Sequence, residues 1–132
     1  MNLPLIIAAN RIIRSYNPDI IFPLVANVAI GQNNLVYVNT SGKAVPAIST
    51  MPNTSFIAGF ALEAAILGAS VYVKGNGVVS GFTGLTPGSV YYISKIVAGA
   101  ISTTKPSGFF NYPIGIAIST TQLLIDQKAM GI

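Results

Sequence analysis

The sequence contains no cysteine, histidine or tryptophan, and it has only seven basic and three acidic side chains among its 132 residues. Without cysteine, neither a disulfide bond nor a thiol nucleophile is available. Without histidine, the commonest general base and the commonest transition-metal ligand are missing. The three carboxylates, Asp19, Glu63 and Asp126, are far apart in the chain and belong to no paired-acid or metal-loop motif. These absences predict a protein that is not an enzyme and that holds no metal or cofactor.

Two features could still carry chemistry, and both have a simpler structural interpretation. Ser94 and Lys95 would supply a serine–lysine dyad, but neighbouring residues in a strand point to opposite faces. A polar pair at a strand end is therefore favoured. The glycine-rich stretches 75–77 and 81–84 lack the Lys-Ser/Thr ending of a phosphate-binding loop. We interpret them as turns.

Charged residues make up 8% of the chain and hydrophobic residues 52%, whereas about a quarter of the residues in a typical soluble domain are charged. Such a chain either enters a membrane or is buried against other chains. A membrane-spanning helix needs roughly 20 mostly apolar residues, and the longest charge-free run, residues 20–42, is interrupted by Pro23, Asn33 and Asn34. We therefore expect no membrane insertion, and burial within an oligomer or a larger assembly.

The formal net charge is +4 at pH 7, and the basic residues are scattered singly along the chain. Proteins that bind nucleic acid concentrate such residues on one face or along one helix. Scattered basic residues instead favour solvated loop tips that keep a protein soluble. No nucleic-acid partner is therefore expected.

Residues 1–25 differ in composition from the rest of the chain, because they combine apolar clusters with two arginines and three prolines. This pattern favours an N-terminal arm that anchors the protein to another molecule, with residues 26–132 as the β domain. The alternative is an ordinary first strand and loop of the same core. The candidate docking residues of the arm are Leu5, Ile6, Ile7, Arg11, Arg14, Ile20, Ile21 and Phe22.

From Val25 onward, short β-branched and aromatic runs alternate with turn residues, which predicts roughly nine or ten strands. One run, Leu35–Val38, leads through a turn at 41–43 to a return strand at 44–48, whose Pro46 belongs at a sheet edge or at a bulge. The predicted fold class is all-β, a compact β-sandwich or barrel-like domain with an internal duplication.

Three further segments are interpreted as turns. Residues 75–77, Gly-Asn-Gly, predict a tight hairpin turn between two strands. Residues 85–88, Leu-Thr-Pro-Gly, match a type II turn that opens the strand 89–94. Residues 61–67 are good helix formers, but their place in the sequence repeat favours a turn or a single helical turn.

The repeat consists of three blocks that occur in the same order in both halves of the chain. The blocks are 36–39 (VYVN), 48–50 (IST) and 57–61 (IAGFA), followed by 90–93 (VYYI), 101–103 (IST) and 113–117 (PIGIA). The offsets between partners are 54, 53 and 56 residues. Blocks matched in this way predict a duplicated structural unit, with repeats at about 35–75 and 89–126.

Most aromatic residues lie within predicted strands, where burial in a core or an interface is expected. Phe109, Phe110 and Tyr112 differ because they follow a Pro-Ser-Gly loop. Aromatic side chains at such places often anchor a partner. These three residues are therefore the candidate partner-binding loop.

Residues 77–94 (GVVSGFTGLTPGSVYYIS), 99–106 (GAISTTKP) and 113–125 (PIGIAISTTQLLI) together resemble a known β module. The module is common in phage virion proteins, mostly capsid decoration proteins, head fibres and the ends of tail fibres. The resemblance covers about residues 57–126, and its motifs are turns and strands. It implies a trimer without an active site, so no catalytic residue is carried over.

Together these observations predict a non-enzymatic viral structural protein. We expect a homotrimer on the virion surface that decorates or cements a phage capsid, with residues 1–25 docked on the major capsid protein. The alternative is a head-fibre or spike domain that binds a host receptor or glycan, with 109–112 or 75–77 at its tip.

Overall fold

The structure, a computed structural model, describes residues 20–126 and 129–130 of the chain. Ten strands joined by turns form two antiparallel sheets of five strands each, consistent with a β-sandwich, so the predicted all-β class is confirmed. The strands are β1 (Ile21–Val25), β2 (Leu35–Val38), β3 (Ala44–Pro46), β4 (Phe56–Ala61), β5 (Ser70–Lys74), β6 (Val78–Ser80), β7 (Val90–Ile93), β8 (Ile101–Ser102), β9 (Gly115–Ala117) and β10 (Gln122–Ile125).

The two sheets share one topology. The strand order is β1-β5-β4-β2-β3 in the first sheet and β6-β10-β9-β7-β8 in the second. Strands β1 to β5 therefore correspond, in chain order, to strands β6 to β10. The fold is internally duplicated, as the recurring blocks predicted. We call residues 21–74 the first unit and residues 78–125 the second unit.

A pair of glycines shows how the two units correspond. Gly59 in β4 pairs with β2, and Gly115 in β9 pairs with β7. A Cβ atom on Gly59 would lie 2.1 Å from the carbonyl oxygen of Lys74, and one on Gly115 would lie 2.6 Å from that of Leu124. Both positions need glycine because the neighbouring strand approaches too closely for a side chain. The 56-residue offset predicted for this block is correct.

The other two predicted offsets were wrong. Val36 pairs with Gly59 and Tyr91 pairs with Gly115, so β7 follows β2 by 55 residues instead of 54. A slip of one residue matters because it exchanges the two faces of a strand. Ser102 in β8 pairs with Tyr92 of β7, as Val45 in β3 pairs with Tyr37 of β2. Ser102 therefore corresponds to Val45, and the block around Ser49 has no counterpart in β8. The repeated letters in that block were a coincidence of composition.

Strand pairing also defines two equivalent faces in each sheet. The A face carries Leu35, Phe60, Val90 and Ile116. The B face carries Val36, Ala61, Tyr91 and Ala117. The first two residues of each set belong to the first unit, and the last two belong to the second.

The main core lies between the A face of the first sheet and the B face of the second sheet. Leu35 and Phe60 are fully buried there, in one cluster with Tyr91, Ala117 and Leu123. The rings of Phe60 and Phe82 meet edge to face, with centroids 5.7 Å apart. This packing joins the two units into one hydrophobic core.

The B face of the first sheet is covered by the first unit's own connections. Ile30 in the β1–β2 connection and Ala65 in the β4–β5 connection form a bridge and pack on Val36 and Val73 in a second cluster. The corresponding connections of the second unit are joined in the same way. The Leu85 N–H, in the β6–β7 connection, donates to the Thr120 carbonyl oxygen, in the β9–β10 connection, at 3.0 Å. Each unit therefore folds its own loops over its own B face.

Several predicted turns and edges are confirmed. Pro46 ends β3, which is an edge strand of the first sheet. Gly88 has a φ of +83°, as the third residue of a type II turn requires. Residues 62–69 form the turn-rich connection that was favoured over a helix.

The predicted hairpin at residues 75–77 was wrong. β5 ends at Lys74 and pairs in the first sheet, whereas β6 starts at Val78 and pairs with β10 in the second sheet. Asn76 is buried, and its side-chain oxygen accepts a hydrogen bond from the Ile20 N–H. The segment is a crossover between sheets, so it cannot be a projecting tip.

Candidate functional site

One apolar surface among the described residues is the A face of the second sheet. Val78 pairs with Leu124, Leu124 with Ile116, and Ile116 with Val90, so four aliphatic side chains form a row across four strands. Val90, Ile116 and Leu124 are 38%, 37% and 42% exposed. We call these four residues the outer apolar face.

A shallow groove of about 380 Å³ runs along this face. Its lining includes Val90, Pro113, Ile116, Leu124 and Asp126. Isolated exposed hydrophobic residues are ordinary, but a contiguous exposed patch marks an interaction site. The face is therefore suited to bind an apolar surface.

A second candidate is a polar cleft of about 450 Å³ at the junction of the two units. Gln32, Asn33 and Asn34 line one side of it, and the β6–β7 connection with Thr83 lines the other. The Asn33 side-chain nitrogen donates to the carbonyl oxygen of Ser80 at 3.1 Å, which links the units across the cleft. Amide and hydroxyl groups of this kind bind neutral polar ligands.

Two glycines shape this cleft. Gly81 and Gly99 have φ angles of +97° and +85°. A Cβ atom on Gly99 would lie 2.7 Å from the side-chain carbon of Asn34, and one on Gly81 would lie 3.0 Å from the side-chain nitrogen of Asn33. A larger residue at either position would displace the amides, so the cleft has a defined shape.

The structure separates the three residues of the predicted partner-binding loop. Phe110 is 2% exposed and belongs to the main core, whereas Phe109 is 61% exposed. Their rings are 4.9 Å apart and meet at 76°. Tyr112 packs against the same core, and burial raises the pKa of its phenol above the usual 10.0. Phe109 is thus the ring that a partner could reach.

The predicted docking residues fall into two groups. Leu5, Ile6, Ile7, Arg11 and Arg14 lie outside the described residues. Ile20, Ile21 and Phe22 are described, and β1 extends the first sheet by pairing with β5. The last residues of the predicted arm therefore belong to an edge strand. Ile21 is half exposed on that strand, while Phe22 packs against the second cluster.

Ser94 and Lys95 take the structural role that was favoured over a catalytic dyad. The Ser94 hydroxyl accepts hydrogen bonds from the N–H groups of Ile96 and Val97 at 3.1 and 3.0 Å. Lys95 is exposed in the loop that Ser94 stabilises. The exposed Ile96 and Val97 at this loop tip were missed by sequence analysis, because two apolar residues beside a strand read as part of it.

Within residues 20–126 and 129–130, no three His, Cys, Asp or Glu side chains lie close enough to hold a metal ion. The same part of the chain contains no helix that is long and apolar enough to cross a membrane. In comparisons with known proteins, no family model and no curated protein matches this chain.

Proposed function

We propose that the protein is a non-enzymatic structural protein of a virus, a trimer that decorates or cements a phage capsid. The observation that supports this proposal most directly is the distribution of exposed apolar residues. They occur on the outer apolar face, on the edge strand β1 and in the β4–β5 connection. With only 8% charged residues, such a surface favours burial against other chains.

The duplicated scaffold supports the same role. Both units use the same strand order and cover one face with their own loops, so the residues that the repeat shares are framework residues. A repeated framework gives a rigid body that carries contact surfaces at several places. Decoration of a capsid requires a body of that kind rather than a reactive centre.

In this proposal the N-terminal residues attach the body to the major capsid protein. The chain enters the described part at Ile20, whose carbonyl oxygen accepts a hydrogen bond from the Gly75 N–H at 2.9 Å. The start of β1 is therefore fixed at the crossover between the two sheets. Residues 1–19 precede this fixed point, and their apolar and basic side chains supply the docking contacts.

The test is binding of the full chain to capsid particles of the virus that encodes it. The triple variant Leu5→Asp, Ile6→Asp and Ile7→Asp should lose at least roughly tenfold in affinity, because several buried apolar side chains contribute about 1.5–3 kcal/mol each. The control variant Ile96→Asp with Val97→Asp changes two exposed apolar residues on a different loop. It should bind as the unaltered protein does.

Co-sedimentation with the particles gives the affinity, and light scattering gives the mass of the unbound variant. The proposal predicts lost sedimentation with an unchanged mass. Undiminished binding of the triple variant would show that the arm does not attach the protein. A full chain that never sediments with the particles would contradict the decoration role itself.

The polar cleft favours a second candidate, a fibre or spike domain that binds a host glycan. Sugars are recognised by neutral amide and hydroxyl groups, and Gln32 and Thr83 present such groups at the rim of the cleft. The variant Gln32→Ala with Thr83→Val should then abolish binding to a glycan array, while Phe109→Ala should leave that binding intact. Absence of array binding by the unaltered chain would exclude this candidate.

A further inference from the structure

We propose that the outer apolar face binds a second copy of this chain, which docks there through the loops of its first unit. This deepens the proposed assembly by naming the surface that joins its subunits. It rests on the proposed function only for the number of subunits. The argument comes from the duplication, because the same face occurs twice in one chain and is covered only once.

The row of four residues on the outer apolar face has a counterpart in the first unit. Val78, Leu124, Ile116 and Val90 correspond in strand pairing to Ile21, Lys74, Phe60 and Leu35. The counterparts Phe60 and Leu35 are fully buried, whereas Ile116 and Val90 are more than a third exposed. At these two pairs of equivalent positions, the side chains on which the other unit lies are buried, and their counterparts are open.

The first unit's A face is covered by the B side of the second unit, including the start of the β6–β7 connection. Phe82, at the start of that connection, places its ring edge to face on Phe60. Tyr91 and Leu123, on the B face of the second sheet, belong to the same buried cluster as Leu35. The intramolecular interface is therefore a contact between the A face of the first unit and the B side of the second unit, which includes the β6–β7 connection.

A second copy can offer the equivalent side of its first unit, where the β1–β2 and β4–β5 connections cover the B face. The β1–β2 connection carries Val28, which is 42% exposed, and the β4–β5 connection carries Ile66 and Leu67, which are 76% and 68% exposed. The two connections are tied together, since the Gly68 N–H donates to the Ala26 carbonyl oxygen at 2.8 Å. We call Val28, Ile66 and Leu67 the loop tip.

The loop tip also explains a difference in length between the units. The β4–β5 connection has eight residues, 62–69, whereas the β9–β10 connection has four, 118–121. The extra residues carry Ile66 and Leu67, which are exposed in this chain. In this proposal, the loop tip of one copy packs on the outer apolar face of the next copy.

Such a contact is heterologous, because it joins two different surfaces of identical chains. Heterologous contacts close into rings when the rotation between copies allows it, and otherwise they extend into filaments. A ring of three would be the proposed trimer. Each subunit would then use its outer apolar face once and its loop tip once.

The first experiment compares the solution masses of three variants of the full chain by light scattering. The face variant carries Ile116→Lys and Leu124→Lys, and the tip variant carries Ile66→Lys and Leu67→Lys. The control carries Ile96→Lys and Val97→Lys, so all three gain the same charge at exposed apolar sites. Thermal unfolding of each variant shows that it remains folded.

The proposal predicts that the unaltered chain and the control have a mass near three times 13.7 kDa. The face variant and the tip variant should both fall to 13.7 kDa and still unfold in a cooperative transition. An unaltered chain that stays monomeric, or face and tip variants that keep the mass of the unaltered chain, would overturn the proposal.

The second experiment mixes the face variant with the tip variant. Each retains the half that the other has lost, so a head-to-tail contact predicts one complex of two chains, at twice 13.7 kDa, that grows no further. A mixture in which both stay monomeric would overturn the proposal, because it would show that the two surfaces do not meet.

These results are separable from the proposed capsid role. A trimer whose mass is unaffected by both variants overturns this interface and leaves capsid binding as an independent measurement. A mass that behaves as predicted supports the interface, even if the particles of the sedimentation assay do not bind the trimer.

Discussion

The two units of this protein share a topology but differ in what covers them. In the first unit, the A face is sealed by the second unit, and Leu35 and Phe60 are fully buried. In the second unit, the same face keeps aliphatic side chains and is open. The second unit therefore keeps apolar residues, Val90 and Ile116, at the positions equivalent to Leu35 and Phe60, but the first unit does not cover them.

The B faces show the opposite behaviour. Ile30 covers the B face of the first sheet, and Leu85 occupies the matching place over the second. Each unit therefore covers part of its own B face with its own connections. The stability of the domain depends on the shared framework, whereas its association depends on where the units differ.

The largest expected effect tests the buried and open A faces directly. Phe60→Ala should lower the free energy of unfolding by about 3–5 kcal/mol, because it leaves a cavity in the main core. Ile116→Ala at the equivalent position should cost the isolated chain about 1 kcal/mol or less, because its side chain is already partly solvated. Urea unfolding in the background of the monomeric tip variant, which keeps both Phe60 and Ile116, measures both changes. Equal losses would contradict the assignment of buried and open faces.

The paired glycines give a smaller and graded effect. Gly59→Ala should cost roughly 3 kcal/mol, because Gly59 has a φ of +145° and its new Cβ would collide with a backbone carbonyl. Gly115→Ala should cost roughly 2 kcal/mol, since it meets a similar carbonyl at a slightly longer distance. Thermal unfolding of both variants ranks them, and a larger loss at Gly115 would contradict this account of the register.

The smallest effect concerns a turn that both units contain. Asn39 follows β2 and accepts hydrogen bonds from the N–H groups of Ser41 and Lys43, both at 3.0 Å. Ser94 follows β7 and holds its loop in the same way. Asn39→Ala and Ser94→Ala should each cost about 1 kcal/mol. A variant that unfolds like the unaltered chain in urea would show that its turn is held by other contacts.

Sequence reasoning predicted the local features of the fold well. The strand 35–38, the edge position of Pro46 and the type II turn with Gly88 as its third residue depend on neighbouring residues, and all three are confirmed. The duplication was also predictable, because its strands keep similar patterns in the same order.

Features that depend on distant pairing were not predictable in the same way. The segment 75–77 has the composition of a hairpin turn, but β5 and β6 find their partners in different sheets. Phe110 is buried and Phe109 is exposed although both have the same side chain. The open A face of the second sheet becomes visible only when the register of both units is known, since one residue of offset exchanges the two faces.

The most direct test of the central claim is the mass of the unaltered chain in solution, measured by light scattering during size exclusion over a range of concentrations. The account predicts a stable species at three times 13.7 kDa, in which the open A face of each subunit is covered by its neighbour. A species that remains at 13.7 kDa at every concentration would contradict it.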